Sequence, residues 1–156
     1  MKLWMPILLV VAACGRSPEE AKKKLAEIQV PPTAESLIAK TKQSKDEDVA
    51  KMLVQAGVDP NARQENGMTA LMSAAFNGQR DVAKALLEQG AQVNADAKGF
   101  NALSLAVERG DIAMAELLLK HGAEAKTRPP GGLSALEKAQ QRQNADLIKL
   151  LETAAK

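Results

Sequence analysis

An internal repeat constrains this 156-residue chain more than any other feature. Similar units open at Gly67, Gly99 and Gly132, at nearly equal intervals, and a fainter copy covers 36–64. A unit of roughly 33 residues cannot bury its apolar residues alone, so such units stack into a solenoid in which each contacts its neighbours. The period therefore predicts one domain of about four stacked units.

Each unit carries the signals for two short helices. In the second unit, Thr69 is expected to cap an inner helix over 70–77, and Gly78 is expected to end it. Asp81 is then expected to cap an outer helix that closes at Gly90. Apolar positions are mostly Ala and Leu, which favours close packing of neighbouring helices. We therefore expect stacked helix pairs.

These units resemble ankyrin repeats over about 33–153. The motifs that carry the resemblance are G-x-T-A-L-x-x-A-A-x-x-G at 67–78, L-L-x-x-G-A-x-V-N-A at 86–95 and A-L-x-x-A-x-x-x-G-D at 102–111. The resemblance implies an all-α ankyrin-repeat solenoid of helix pairs with short protruding turns, which would occupy 33–156. The expected repeats are 33–65, 66–98, 99–131 and 132–156.

The chain also departs from the family pattern. The family's T-P-L-H sequence lacks its Pro and its inter-repeat His in all three copies, which begin at Thr69, Asn101 and Ser134. This departure predicts a less stable solenoid than an idealised one. Lys45 and Gln143 occupy the helix-ending glycine position in the first and last units, and terminal repeats are often atypical because one face meets water.

The first fourteen residues differ from the repeats. Lys2 precedes an uncharged run over 3–13, which is shorter than the roughly 20 residues that a spanning helix needs. The run ends Val-Ala-Ala-Cys, which resembles the lipobox of bacterial lipoprotein signals. The resemblance implies a cleaved signal over 1–13 and lipid on Cys14. The alternatives are an ordinary secretory signal with an incidental Cys, or a cytosolic protein with an apolar start.

The lipobox also implies a location. Lipid on Cys14 would hold the protein at the periplasmic face of a bacterial membrane, and the absence of Asp directly after Cys14 favours the outer membrane. Residues 14–32 would form a tether and a leading helix. Ser17 is expected to cap that helix, Pro18 suits its first position, and Pro31 with Pro32 would stop it.

Composition narrows the function classes. A single Cys and a single His, His121, exclude a Cys-based zinc site and a multi-histidine metal centre. We expect no metal and no cofactor. No nucleophile has a base nearby in the pattern, so an enzyme is only a remote alternative. A net charge of +2 with 2% aromatic residues does not favour a nucleic-acid binder.

A concave face formed by turn tips and inner-helix ends binds other proteins in the ankyrin family. Phe76 and Phe100 map to this face, and we hypothesise that they form the centre of a binding patch with Met68 and Arg109, since such side chains recur at interface hot spots. The alternative is that both rings pack against adjacent repeats. The whole face comprises Met68, Phe76, Asn77, Lys98, Phe100, Glu108, Arg109, Leu133 and Arg142.

The resulting prediction is a monomeric, membrane-anchored, periplasmic protein-binding module. The resemblance favours an immunity or inhibitor protein that binds a toxic effector or an envelope enzyme. The alternative is an accessory scaffold for an envelope or oxidative-stress enzyme. Both roles use the same sequence features, so the residues alone leave the choice open.

Overall fold

A computed structural model describes residues 17–41 and 47–154. The predicted signal, Cys14 and Lys45 lie outside these residues. The described chain is mostly helical, as predicted. Its elements are α1 (Pro18–Glu27), α2 (Ala34–Thr41), α3 (Glu47–Gln55), α4 (Ala70–Asn77), α5 (Arg80–Glu88), β1 (Asp96–Ala97), β2 (Phe100–Asn101), α6 (Ala102–Arg109), α7 (Ile112–Lys120), α8 (Ala135–Gln141) and α9 (Ala145–Ala154).

The helices form a solenoid of four pairs. The inner helices α2, α4, α6 and α8 pack in sequence order, and each packs against the outer helix of its own pair. Leu53, Leu86, Leu118 and Leu151 recur at nearly equal intervals, one in each outer helix, and all four are fully buried. The sequence period is therefore the period of the core.

The leading helix α1 begins as predicted. Ser17 is its N-cap and accepts a hydrogen bond from the Glu20 backbone amide at 3.3 Å. Ala21 and Leu25 are fully buried, and α1 packs against α3. Ile28 stands just after the helix and is 48% exposed, so the apolar face is shorter than its sequence suggests.

Side-chain caps define the inner helices. Thr69 accepts from the Met72 amide at 3.2 Å, and Gly78 ends α4 in the left-handed conformation, both as predicted. In α6, Ser104 stands where the ankyrin pattern has its His. Its hydroxyl donates to the Asn101 carbonyl and accepts from the Asn101 amide. This hydroxyl therefore bonds within its own cap, whereas the family's His joins two repeats.

The predicted cap of the second outer helix is wrong. Helix α5 begins at Arg80, so Asp81 lies inside its first turn, 3.6 Å from Lys51 Nζ. The N-cap is Gln79, which follows Gly78 as Asp111 follows Gly110 in the next repeat. Asp111 does cap α7, because it directly follows the left-handed glycine that ends α6.

The last inner helix ends on a strained residue. Gln143 follows α8 with φ of 55°, where Gly78 and Gly110 have φ of 73° and 77°. A side chain in this region costs about 1 kcal/mol. We therefore expect Gln143→Gly to stabilise the protein by up to about 1 kcal/mol, measured by urea unfolding. A loss of stability would show that contacts of the Gln143 side chain outweigh the strain.

Two asparagines join the turn tips of successive repeats. The Asn61 side chain bonds to a backbone carbonyl and a backbone amide of the next tip, at 3.4 and 2.8 Å. Asn94 repeats this pair of bonds with the Gly122 carbonyl and the Glu124 amide, both at 3.0 Å. The next equivalent residue is Thr127, whose hydroxyl bonds to the Glu124 side chain. Thr127 therefore does not repeat the link that Asn61 and Asn94 make to the next turn tip.

One turn tip contains a short antiparallel hairpin that the all-α prediction did not include. Strand β1 pairs with β2 through Asp96 with Asn101 and Ala97 with Phe100. Lys98 and Gly99 link the strands with φ of 50° and 79°, the geometry of a two-residue type I′ turn. The hairpin fixes Lys98 and Phe100 beside the inner helices.

Candidate protein-binding groove

A groove of about 450 Å³ opens between the turn tips and the inner helices α4 and α6. We call it the inner groove. It contains six of the nine residues that the sequence assigned to the binding face. Its lining residues are Gln64, Met68, Ser73, Phe76, Asn77, Ala97, Lys98, Phe100, Leu105 and Glu108.

Helical spacing explains one wall of this groove. Ser73, Phe76 and Asn77 stand at positions i, i+3 and i+4 of α4, so they share one helix face. Leu105 and Glu108 occupy the positions of α6 that are equivalent to Ser73 and Phe76, one repeat later. The opposite wall comes from Met68 and the β1–β2 hairpin. Stacked repeats therefore build one continuous surface from separated residues.

The two phenylalanines differ in exposure. Phe76 is 55% exposed. Phe100 is half-buried against the core, and Lys138 Nζ lies 3.9 Å from the centre of its ring. Lys138 is held in turn by Glu108, at 3.3 Å between Nζ and Oε2. Phe76 is therefore displayed, as the hypothesis expects. Phe100 instead packs against an adjacent repeat, as the alternative expects.

Two predicted face residues bind the preceding inner helix. Asn77 Nδ2 donates to the Thr41 carbonyl at 2.7 Å, and Arg109 Nη1 donates to the Phe76 carbonyl at 3.2 Å. The Arg109 guanidinium also lies against Gly78, where a Cβ would come within 2.7 Å of Nε. Arg109 is therefore engaged with backbone beside the groove and does not line it.

The remaining predicted residues lie toward the last repeat. Leu133 is 37% exposed and stands before α8, outside the groove lining. Arg142 follows α8 and approaches Glu108, at 3.6 Å between Nη2 and Oε1. Glu108 therefore contacts both Lys138 and Arg142.

Sequence reasoning missed four lining residues: Gln64, Ser73, Ala97 and Leu105. Gln64 Nε2 donates to Ser73 Oγ at 2.6 Å, across the end of the groove. The spacing of Ser73 relative to Phe76 could have indicated Ser73, and the repeat offset could then have indicated Leu105. Gln64 and Ala97 lie in the turn tips, where no helical period applies.

One carboxyl group near the last repeat, that of Glu137, has a strongly lowered pKa. Hydrogen bonds from Arg128, and then from the backbone and side chain of Ser134, lower the pKa of Glu137 from its ordinary value to about 2. Glu137 is the acidic member of the capping box that begins α8. The capping box thus also fixes the Arg128 side chain near the last repeat.

A pH-dependent contribution to stability follows. Because the folded pKa lies below the unfolded value of about 4.3, the charged form of Glu137 stabilises the fold above that pH. This contribution is lost as pH falls from about 4.3 toward 2. We expect Glu137→Gln to lower Tm at pH 7, with the difference from wild type shrinking over that interval. A difference that stays constant from pH 7 to pH 2 would contradict this assignment.

No catalytic or metal-binding arrangement is evident across 17–41 and 47–154. Within these ranges, no group of three or more His, Cys, Asp or Glu side chains could hold a metal ion. His121 is the exposed C-cap of α7. The same two ranges contain no helix with both the length and the apolar character that crossing a bilayer requires.

Similarity to known proteins agrees with this architecture. A family model described as ankyrin repeats in three copies matches residues 37–129. An ankyrin repeat-containing protein of Treponema pallidum is 32% identical over 106 residues, which are 67% of this chain and 36% of that protein. The B-cell lymphoma 3 protein homolog of Mus musculus is 38% identical over 96 residues, 60% of this chain and 21% of that protein.

A third relative comes from a much longer protein. The ankyrin repeat and KH domain-containing protein mask-1 of Caenorhabditis elegans is 32% identical over 105 residues, 66% of this chain and 4% of that protein. The chain thus spans between 4% and 36% of these three relatives. Ankyrin repeats are typically non-enzymatic modules that bind other proteins. By its matched residues, its period and its stacked helix pairs, the chain belongs to the ankyrin-repeat family.

Proposed function

We propose that this chain binds another protein through the inner groove and performs no catalysis of its own. The observation that carries the proposal is the 55% exposure of Phe76 beside an apolar floor that includes Phe100 and Leu105. Large apolar side chains displayed next to a pocket are typical of interface hot spots. A partner would bury Phe76 and remove apolar surface from water.

The second part of the proposal is a lipid anchor on Cys14. The Val-Ala-Ala-Cys sequence supports it, and two or three acyl chains bind a membrane far more stably than one. The anchor would place the module at the periplasmic face of a bacterial membrane, and the residues after Cys14 favour the outer membrane.

Lipidation has a direct test. Cells expressing the wild-type chain are expected to incorporate labelled palmitate into this protein, and the Cys14→Ser variant is expected to incorporate none. Membrane fractionation would show whether each of the two proteins is recovered with the membranes. Equal labelling of the two variants would place the lipid elsewhere, and no labelling of the wild-type chain would remove the anchor from the proposal.

The proposed consequence of binding is inhibition. The inner groove of a monomer would block one partner molecule at a time, which suits an immunity or inhibitor protein that acts on a toxic effector or an envelope enzyme. A scaffold for an envelope or oxidative-stress enzyme would use the same surface. The two roles differ in whether the partner's activity falls on binding.

Site-specific photocrosslinking in the source bacterium tests both the surface and the role. A photoreactive phenylalanine analogue replaces Phe76 in one variant and Lys84 on α5 in the other. We expect one protein to crosslink at position 76 and not at 84, since Lys84 is exposed on the outer side of the pair. Mass spectrometry then identifies the partner for an activity assay with and without this chain.

Each outcome decides a separate part of the proposal. Loss of the partner's activity supports inhibition, and unchanged activity supports a scaffold. Equal crosslinking at both positions would contradict the groove as the binding surface. Absence of any crosslinked protein, under conditions where both variants are folded and abundant, would contradict the capture of a protein from the same cell.

A further inference from the structure

We infer that the inner groove receives an acidic segment of the partner that carries a bulky apolar side chain. This inference rests on the proposed function, because it specifies the chemistry of the segment that the groove binds. Its two parts are an apolar pocket and an excess of positive charge around that pocket. Each part follows from a separate set of observations.

The charge excess comes from four cations in or beside the groove, two of which contact one carboxylate. Lys98 lines the groove, Arg109 lies beside Phe76, and Lys138 and Arg142 both contact Glu108. Within the described ranges, no carboxylate forms an ion pair with Lys98 or Arg109. The single carboxylate can neutralise only one of its two cations, so the local excess is about three positive charges.

Neighbouring charges do not cancel this excess. Arg128 is paired with Glu137 at the start of α8, and Arg63 stands near Glu35 and Glu65 beside the turn before α4. The first set is neutral, and the second carries one net negative charge. The Arg63 guanidinium already donates to two backbone carbonyls, at 3.0 and 3.2 Å. An excess of about two positive charges around the groove therefore remains.

The opposite side of the solenoid has the reverse balance. Helices α3, α5, α7 and α9 together carry seven acidic and five basic side chains. The cationic groove therefore does not reflect the small net charge of the whole chain. Complementary potential speeds association and rejects partners of like charge, so the distribution favours an acidic segment over a neutral or basic one.

The apolar part of the groove determines which kind of side chain would anchor that segment. Phe76 is exposed on one wall and Met68 is half-buried on the other, while Phe100 is held in place by Lys138. A volume of about 450 Å³ accommodates a large aliphatic or aromatic side chain. Such a side chain would contact Phe76, and flanking carboxylates would lie toward Lys98 and Arg142.

A display experiment tests this inference without knowledge of the natural partner. Random twelve-residue peptides on phage are selected against the purified protein, with Phe76→Ser as the subtraction target. We expect the enriched peptides to share a Leu, Ile, Phe or Trp flanked by Asp or Glu. One enriched peptide is then synthesised with a fluorescent label, and its affinity is measured by anisotropy at 50 and 300 mM salt.

Matched charge reversals locate the contact. Lys98→Glu is expected to weaken this peptide about tenfold at low salt, since one attraction becomes a repulsion. Lys84→Glu makes the same change in net charge on the outer helix α5 and is expected to leave affinity unchanged. The difference between the two variants should shrink at high salt because ions screen exposed charges. Circular dichroism confirms that both variants remain folded.

Other outcomes overturn the inference in identifiable ways. Enrichment of neutral or basic peptides that need Phe76 would reject the acidic segment while leaving the proposed function intact. Equal weakening by Lys98→Glu and Lys84→Glu would reject the site. Failure to enrich any Phe76-dependent peptide would reject a linear segment as the occupant. Stronger binding to vesicles of anionic phospholipid than to any peptide would assign the charge to a membrane surface.

Discussion

Gly132→Ala is expected to lower the stability of the protein by about 3 kcal/mol, as excess volume does in a tightly packed site. A Cβ at Gly132 would overlap the Gly99 carbonyl oxygen and would lie 2.6 Å from its carbon and 2.8 Å from its Cα. All three atoms belong to the backbone of the hairpin turn, so no side-chain rotation can relieve the contact. Calorimetry should show a fall in Tm of about 10 °C.

Gly131→Ala is the matched control for this prediction. Gly131 has φ of 74°, but a Cβ there would meet no atom within 4 Å. Its cost is therefore backbone strain alone, about 1 kcal/mol. If the two variants lose the same stability, the approach of the third and last turn tips is looser than the structure indicates.

Phe76→Ala is expected to weaken partner binding about thirtyfold and to change Tm by less than about 1 °C. Truncation of a central interface aromatic typically costs about 2 kcal/mol, whereas a half-exposed ring contributes little to the core. Isothermal calorimetry with the crosslinked partner measures the first quantity, and thermal unfolding measures the second. Leu133→Ala is the control, since Leu133 is also partly exposed but lies outside the groove.

Phe100→Ala is expected to behave differently, because this ring belongs partly to the core. Its removal deletes the contact with Lys138 and the packing against buried residues, at a cost of about 2 kcal/mol. We therefore expect both stability and binding to fall. Equal thermal stability of the Phe76 and Phe100 variants would mean that both rings have the same environment.

The architecture was largely predictable because its signals are local and repeated. Thr69 and Gly78 define the two ends of α4 within a single unit, and Asn101 and Gly110 do the same for α6 in the next unit. The error at Asp81 shows the limit of this reasoning. Residue type alone made Asp81 a good cap, but the left-handed turn at Gly78 places the cap at Gln79.

The candidate site was predictable only in outline. The motif positions placed Phe76 and Phe100 in the same groove, but the environment of Phe100 depends on Lys138, which belongs to the next repeat of the chain. The same holds for Asn77 and Arg109, which bind carbonyls of the preceding inner helix. Each of these contacts joins residues from two different repeats, so the sequence pattern within one repeat cannot predict it.

The position of Lys138 over Phe100 links the groove to the last helix pair that the structure describes. Helix α8 supplies this side chain, so a floor residue of the groove is held by the last helix pair. In a stacked array each unit is stabilised mainly by its neighbours, and end units open most readily. A partner that immobilises Phe100 would therefore slow amide hydrogen exchange in α8 and α9. Amide hydrogen exchange in α8 and α9 would thus report whether a partner occupies the groove.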